Sequence, residues 1–189
     1  MTPKELLSIL SVAEKLKSAT RHCFTAPDRK ESVADHSWRI ALTAMLLEGV
    51  PEFADYDMSR VVRMCLIHDL GEAFTGDIPT FLKTEAEGRH EDDLLGAWVA
   101  AFPEPQRENW QALLREMALQ ETNEAKLYKA LDKLEALISH NESPLSTWLP
   151  LEYDLQFTHG REQVQFSLYL RALREAIDAQ SREKIEGGK

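Results

Sequence analysis

The sequence predicts an all-α protein folded as a helical bundle, and three observations support this prediction. Apolar residues recur at helical spacing along most of the 189 residues, whereas the alternation typical of strands is rare. The 8 Gly and 8 Pro residues stand mostly between the periodic stretches, where such residues end helices. No internal repeat or low-complexity tract divides the chain. We therefore expect a single domain over residues 1–189, with a frayed tail from about residue 184.

Two helices are predicted at the start of the chain. Residues 3–19 repeat leucine at helical spacing, and the polar segment RHCFTAPDRKE is expected to be a connector. A second helix opens at Ser32, where Asp35 three residues later completes a capping box. Its apolar stripe includes His36, one turn inside the helix. An imidazole is therefore expected on the core-facing side of this helix.

The rest of the chain predicts further helices. The third, capped by Asp57 or Ser59, carries His68 and Glu72 on one stripe and stops before TGDIP. The fourth, fifth, sixth and last helices are expected at about 84–101, 106–119, 123–139 and 161–183. Residues 140–160 are expected to be irregular. Asp132 flanks the apolar stripe of the sixth helix, so it too is predicted beside the core.

Composition and charge exclude several classes of function. The formal net charge of −10 argues against a nucleic-acid partner, because phosphate backbones are bound by Lys and Arg clusters. No apolar run approaches the roughly 20 residues that span a bilayer, and MTPKELLSIL lacks the apolar core of a signal peptide. We therefore expect no membrane partner. Cys23 and Cys65 are too few for a disulfide framework, so a reducing, cytoplasmic setting is expected.

Four ionisable residues stand at or beside the apolar faces of three predicted helices: His36, the pair His68–Asp69, and Asp132. Burying such groups is costly unless they are paired or bound to a metal. Two imidazoles and two carboxylates make a mixed donor set suited to a divalent transition metal. Because the donors come from three helices, coordination positions stay open for water and substrate, as in a catalytic site.

Each member of this set also has a simpler interpretation. A His-Asp dipeptide occurs by chance in many proteins. His36 alone would fit a hydrogen-bonded core histidine, and Asp132 beside Lys133 would fit an ordinary surface ion pair. The remaining histidines are expected to be solvated rather than ligating: His22, His90, His140 and His159.

Three segments together point to a family. The sequences RKESVADHSWRIA (29–41), HDLGEAFTGDIPT (68–80) and ALDKLEALI (130–138) closely resemble the HD-domain 5′-deoxynucleotidase family of metal-dependent phosphohydrolases. The resemblance runs from about residue 16 to the final helix. It implies an HD-domain helical bundle, a homodimer, and an enzyme that removes the 5′-phosphate from nucleoside 5′-monophosphates, preferably deoxy ones.

The resemblance also assigns roles at the metal. It implies that His36, His68, Asp69 and Asp132 bind one divalent ion. Glu72 would act as the general acid or base, or would orient the attacking water. The donor set accepts Mn²⁺, Co²⁺, Mg²⁺, Fe²⁺, Zn²⁺ or Ni²⁺, so the identity of the metal stays open.

Further residues are implied as substrate contacts. Arg21 would clamp the phosphate, and Asp77 would touch the sugar hydroxyl. Some relatives hold a second cation at the positions of Glu72, Asp77 and the backbone carbonyl of Ile78. His22 stands where several relatives carry a bulky aromatic that crowds the ribose 2′-hydroxyl. This departure leaves the discrimination between deoxyribose and ribose open, and the base preference is open as well.

Two other functions remain as alternatives. The same site could hydrolyse a nucleoside triphosphate or a signalling nucleotide, although Lys and Arg are sparse near the motifs. The chain could instead be a metal- and nucleotide-binding protein without turnover. Glu72 argues against that second alternative, because a binding protein has no need of an acid at this position.

Overall fold

The computed structural model describes residues 1–188, in which helices form nearly all of the regular structure. The elements of these residues are α1 Pro3–Ala13, β1 Thr20–Ala26, β2 Arg29–Ser32, α2 Val33–Leu47, α3 Met58–Ile67, α4 Glu72–Thr75, α5 Glu85–Ala100, α6 Gln106–Leu119, α7 Asn123–Glu142, α8 Glu152–Thr158 and α9 Leu168–Gly187. Short 3₁₀ turns lie at Glu14–Lys17, Pro51–Phe53 and Leu145–Thr147. The predicted all-α class is confirmed, because the sheet is a single hairpin.

Helix α7 is the centre of the bundle. It packs against α2, α3, α6 and α9, and it also contacts strand β1. Many of the most deeply buried side chains lie where α2, α3 and α7 meet: Val33, Ile40, Ala44, Val61, Met64, Cys65, Leu127, Leu131 and Leu134. The helices that the sequence predicts to carry the ionisable residues are therefore direct neighbours.

The predicted start of α2 is confirmed. The Ser32 hydroxyl accepts a hydrogen bond from the Asp35 backbone N–H (3.1 Å), and the Ser32 N–H donates to the Asp35 carboxylate (2.9 Å). At α3, Asp57 rather than Ser59 is the cap, since its carboxylate accepts from the Arg60 N–H at 2.9 Å. These caps satisfy N–H groups that a helix leaves free at its start.

The expected connector at 21–31 is wrong, because most of this segment forms the antiparallel hairpin of β1 and β2. Pro27 and Asp28 supply the turn. Thr20 and Phe24 of β1 are residue types that are enriched in strands. An isolated two-stranded hairpin is marginal in water. This one is supported by α7, where the Ser143 hydroxyl accepts a hydrogen bond from the Phe24 N–H at 2.9 Å.

The third predicted helix is also too long. Helix α3 ends at Ile67, turns follow, and Glu72 begins the separate short helix α4. A Cβ atom at Gly71 would lie 2.4 Å from Cγ of Glu91, so the chain passes too close to α5 for a larger residue. Adjacent residues of a continuous helix point about 100° apart. The break instead lets His68 and Asp69 face one site.

Residues 140–160 are not irregular throughout. Helix α7 continues to Glu142, and α8 occupies Glu152–Thr158. The last helix starts at Leu168 rather than at residue 161, and the Ser167 hydroxyl caps it by accepting from the Leu170 N–H at 3.1 Å. Within the described range, the helices are too short or too polar to cross a membrane.

Candidate metal centre and adjoining cleft

The four ionisable residues predicted from three helices come together in the structure. Nε2 of His68 lies 3.0 Å from Oδ2 of Asp69 and 3.8 Å from Oδ1 of Asp132. Nε2 of His36 lies 3.7 Å from Oδ2 of Asp69 and 3.4 Å from Oδ1 of Asp132. The packing of α2, α3 and α7 thus brings together residues that are far apart in the sequence. We call these residues the His₂Asp₂ cluster.

The second nitrogen of each imidazole has a fixed partner. His68 Nδ1 donates to the Cys65 carbonyl oxygen at 2.9 Å, and His36 Nδ1 donates to the Glu135 carboxylate. Among residues 1–188, the buried Nε2 atoms of both histidines make no hydrogen bond of acceptable geometry, although Asp69 Oδ2 lies 3.0 Å from that of His68. A histidine whose Nδ1–H is held in this way presents the Nε2 lone pair, which is the arrangement found at metal sites. The simple interpretation of His36 as a hydrogen-bonded core histidine accounts for its Nδ1 but not for its Nε2.

The cluster has the dimensions of a metal site. Donor atoms about 2.1 Å from a common ion lie about 3 to 4 Å from one another, as the four distances above do. The donor atoms of His36, His68 and Asp69 all lie within 4.8 Å of one another, whereas Asp132 is not part of this group and approaches it through the two imidazoles. A mixed nitrogen and oxygen set of this kind suits a divalent transition metal. These residues could therefore hold a divalent cation.

Asp132 serves the cluster and an ion pair at the same time. Its Oδ1 faces the imidazoles, whereas its Oδ2 lies 2.9 Å from Lys129 Nζ and 3.2 Å from Lys133 Nζ. Burial opposes its ionisation, yet Lys129 and Lys133 hold the pKa of Asp132 well below its ordinary value. Asp69 behaves alike: burial opposes its ionisation, but His68 lowers its pKa. Both carboxyl groups are therefore anionic at neutral pH.

Glu72 begins α4 and is 5% exposed. Its Oε2 has no hydrogen-bond partner in the described part of the chain. Burial, together with the negative charges of Asp69 and Asp77, raises the pKa of Glu72 to about 9. A carboxyl group in these surroundings holds a proton at neutral pH and can act as a general acid.

A cleft of about 340 Å³ lies next to the cluster, although His36, His68, Asp69 and Asp132 are not among the residues that line it. Arg21 and Asp77 line it on the cluster side, and Arg21 Nη1 lies 3.8 Å from Asp69 Oδ2. His22 also lines the cleft, and its Nε2 lies 3.1 Å from Glu152 Oε1. Ile78 follows Asp77 in the same loop and is half-buried. The predicted substrate contacts Arg21, His22 and Asp77 thus share one cavity.

Several residues of this region were missed by sequence reasoning. His140 was expected to be solvated, but it is buried and stacks on Trp148 with ring centroids 3.9 Å apart. Glu152 lies on the unpredicted helix α8. Glu135 follows Asp132 by one helical turn on the same face of α7, and this spacing could have suggested it as a partner for the cluster. Glu31 lies on the unpredicted hairpin, so no pattern pointed to it.

A helical bundle with a His₂Asp₂ cluster beside a cleft defines a candidate metal-dependent hydrolase. The family model described as HD domain matches residues 13–173, most of the chain. The chain therefore belongs to the HD domain family, which confirms the resemblance seen in its sequence motifs.

Similar proteins agree with this assignment. The 5′-deoxynucleotidase HDDC2 of Homo sapiens is 30% identical over 143 residues, which are 74% of this chain and 68% of that protein. A dATP triphosphohydrolase of Salmonella phage PMBT28 is 37% identical over 87 residues, 42% of this chain and 41% of that protein. The crystal structure of a predicted metal-dependent phosphohydrolase from Magnetospirillum magnetotacticum MS-1 superposes with a TM-score of 0.75 and 26% identity, and covers 98% of this chain and 96% of that one.

Proposed function

We propose that the protein is a metal-dependent 5′-nucleotidase that hydrolyses nucleoside 5′-monophosphates, preferably deoxy ones, to a nucleoside and phosphate. One observation carries the proposal: two unpartnered imidazole nitrogens and two carboxylates converge beside a cleft lined by an arginine. The volume of about 340 Å³ lies within the range of small-molecule sites. The similarity to human 5′-deoxynucleotidase HDDC2 supports the same substrate class.

In this proposal His36, His68, Asp69 and Asp132 hold one divalent cation. Such a cation lowers the pKa of coordinated water and offsets the negative charge of the phosphate. Arg21 binds the phosphate, for which its guanidinium can offer two parallel donors. Asp77, at the same end of the cleft, contacts the sugar or, with Glu72 and the Ile78 carbonyl, helps to hold a second cation.

Glu72 is the proposed catalytic acid. Because its raised pKa of about 9 keeps the proton on at neutral pH, the carboxyl group can deliver that proton to the departing 5′ oxygen. The opposite role, accepting a proton from the attacking water, requires the cation to lower this pKa first. The surroundings in the structure therefore favour the acid role.

A nucleoside triphosphate is the second candidate substrate, and the partial similarity to a phage dATP triphosphohydrolase favours it. Three phosphates need more positive charge than one. Lys83, which the sequence left without a role, contacts Glu91 at 2.8 Å instead of standing free for a phosphate. This pairing favours the monophosphate.

The test is phosphate release from the common ribo- and deoxyribonucleoside monophosphates and triphosphates, each with Mn²⁺, Co²⁺, Mg²⁺ and Zn²⁺. We expect orthophosphate from monophosphates and little product from triphosphates. Release of pyrophosphate or triphosphate would favour the second candidate. Tight binding of dAMP without any phosphate release would instead favour a binding protein.

We also infer a homodimer in a reducing compartment. The outer face of α2 exposes a stripe of large apolar side chains: Trp38, Leu42, Met45 and Leu46. Leu168 and Tyr169 at the start of α9 are exposed as well. Contiguous apolar patches of this kind are typical of interaction surfaces. Cys23 and Cys65 are both buried free thiols, as a reducing setting would allow.

A further inference from the structure

A buried chain of hydrogen bonds joins the arginine of the cleft to one imidazole of the cluster. Arg21 Nε donates to Glu31 Oε2 at 2.9 Å. The Ser139 hydroxyl lies 2.6 Å from Glu31 Oε1 and 2.6 Å from Glu135 Oε1. Glu135 Oε2 accepts the hydrogen bond of His36 Nδ1. This series of hydrogen bonds thus runs from β1 through β2 and α7 to α2.

Each carboxylate in this chain divides its two oxygens in the same way. One oxygen of Glu31 faces Arg21 and one oxygen of Glu135 faces His36, while the other oxygen of each faces Ser139. Glu31 and Glu135 are each 2% exposed, and Ser139 is 4% exposed. Buried charged groups contribute little net stability compared with well-packed apolar residues. The arrangement of Glu31 and Glu135 is better explained by their effect on Arg21 and His36, which they hold in place.

We propose that Glu31, Ser139 and Glu135 form a positioning relay that holds Arg21 and His36 in a fixed relative placement. Glu135 orients the imidazole so that Nε2 faces the other three donors, as carboxylate partners of metal-binding histidines do. Glu31 holds the guanidinium at the edge of the cleft. The Ser139 hydroxyl donates its one proton to one of the two carboxyl groups and lies 2.6 Å from the other. It thereby joins them, so a displacement at one end is transmitted to the other. The part of the relay that holds Arg21, which we call the Arg21 arm, rests on the proposed function, because Arg21 is the proposed phosphate-binding residue. The part that holds His36 rests only on the donor set of the His₂Asp₂ cluster.

The same atoms allow one other interpretation. Donor atoms of Glu31, His36 and Glu135 lie within 4.8 Å of one another and could hold an ion themselves. However, His36 Nδ1 is already hydrogen-bonded to Glu135, and the Ser139 hydroxyl contacts both carboxylates. A second cation would have to displace these contacts. The hydrogen-bonded arrangement therefore favours the relay.

Two binding measurements test the relay without relying on turnover. Calorimetry gives the Kd of Mn²⁺ for metal-free protein and the Kd of inorganic phosphate for Mn²⁺-loaded protein. We expect Glu135→Ala to weaken Mn²⁺ binding about 10- to 100-fold, the usual effect of removing an outer partner of a ligand. Glu135→Gln, which keeps an acceptor oxygen for His36, should recover part of that loss. Ser139→Ala should weaken both Mn²⁺ and phosphate, each by about 5-fold, the effect of one hydrogen bond.

Ser143→Ala is the matched control. Ser143 follows Ser139 by one turn, at the C-terminal cap of α7, and is equally buried, but its hydroxyl contacts Phe24 of the hairpin and the Ser139 carbonyl. The Kd of Mn²⁺ for this variant should stay within about 2-fold of the wild-type value, because Ser143 is hydrogen-bonded to neither Glu135 nor His36. If Ser139→Ala does not fold, Glu31→Ala and Glu135→Ala measured separately take its place, and each should weaken both ligands.

Three results would overturn the relay. The first is that Ser139→Ala, or both Glu31→Ala and Glu135→Ala if Ser139→Ala does not fold, binds Mn²⁺ and phosphate with Kd values within about 2-fold of those of the wild type. The second is a wild-type stoichiometry of two Mn²⁺ per chain that falls to one in Glu31→Ala, which would mark a second metal site. The third is a wild-type, metal-loaded protein that binds no phosphate, which would remove the Arg21 arm. Protein that shows the expected shifts in binding but hydrolyses no nucleotide would keep the relay and remove the proposed function.

Discussion

At the scale of single residues, surroundings decide what a side chain can do. Glu72 and Asp69 are both carboxyl groups near the same cluster, yet burial raises the pKa of the first, whereas His68 outweighs burial and lowers the pKa of the second. The sequence motifs identified both residues. They could not identify Glu31 and Ser139, because these residues meet across 108 positions of the chain and one of them lies on an unpredicted strand.

Glu72→Gln tests the acid role. The amide keeps the shape of the side chain but has no acidic proton, so kcat should fall at least about 100-fold, the scale of general acid catalysis. The Kd of the Mn²⁺ ion bound by the His₂Asp₂ cluster should change by less than about 3-fold, because Glu72 lies outside that cluster. Calorimetry and steady-state kinetics on the same preparation provide both values. Turnover close to that of the wild type would contradict the role.

His159 predicts a dependence of stability on pH. Burial and the charge of Lys133 lower the pKa of His159 to about 4, while an unfolded histidine titrates near about 6.5. Between these values the unfolded chain binds more protons, so the free energy of unfolding should fall as the pH falls. From pH 6.5 to 5.5 the contribution is at most about 1.4 kcal/mol.

Urea unfolding at both pH values measures this contribution. The variant His159→Gln lacks the titrating group, so its stability should fall less than that of the wild type over the same interval. His90→Gln, at an exposed position on α5, is the control and should follow the wild type. Identical pH dependence in wild type and His159→Gln would show that His159 does not contribute.

At the scale of elements, the helical periodicity of the sequence predicts the position of most helices. It gives no information about tertiary contacts. The start of α2 and the extents of α5 and α6 agree with the sequence prediction because local residues determine them. The hairpin and the break before α4 do not follow from local pattern. The hairpin is hydrogen-bonded to Ser143 at the end of α7, and the chain at the break passes close to Glu91 of α5 at Gly71.

The loop after α4 offers a test at this scale. Gly76 has φ 76° and ψ 166°, a backbone conformation that is essentially restricted to glycine. Gly76→Ala should therefore lower the free energy of unfolding by about 1 to 3 kcal/mol. It should also raise KM for a monophosphate, because Asp77 follows directly.

Gly88→Ala is the matched control for this loop variant. Gly88 lies within α5, and a Cβ atom there would meet no described atom within 4 Å. Alanine in a helix interior is favoured over glycine by about 0.5 to 1 kcal/mol, so this variant should be slightly more stable with an unchanged KM. Equal effects of the two substitutions in chemical unfolding would contradict the importance of the Gly76 conformation.

At the scale of the whole molecule, one cation would tie α2, α7 and the turn after α3 together. A ligand that binds only the folded state stabilises it by about 2.7 kcal/mol at 100 times its Kd. For a chain of 189 residues this corresponds to an increase in Tm of about 5 to 10 °C. Chelation of the metal should reverse the increase. His36→Ala should show a much smaller response in the same thermal scans, and an equal response would place the cation elsewhere.

The apolar stripe on α2 predicts the oligomeric state. Trp38 and Met45 are 63% and 58% exposed in the single chain, so a homodimer that covers them would remove a large apolar area from water. Light scattering should give twice the chain mass of 21.6 kDa. Trp38→Glu should shift the protein towards the monomer, whereas Leu119→Glu, on the exposed end of α6, should not. A wild-type monomer at micromolar concentration would contradict the inferred dimer.

The central claim is that side chains from distant parts of the chain bind one cation beside the cleft. Anomalous scattering from crystals grown with Mn²⁺ measures this directly, because it locates the ion independently of the protein atoms. We predict a peak about 2.1 Å from Nε2 of His36 and His68 and from carboxylate oxygens of Asp69 and Asp132. A peak bound to other residues, or none at saturating Mn²⁺, would contradict the account.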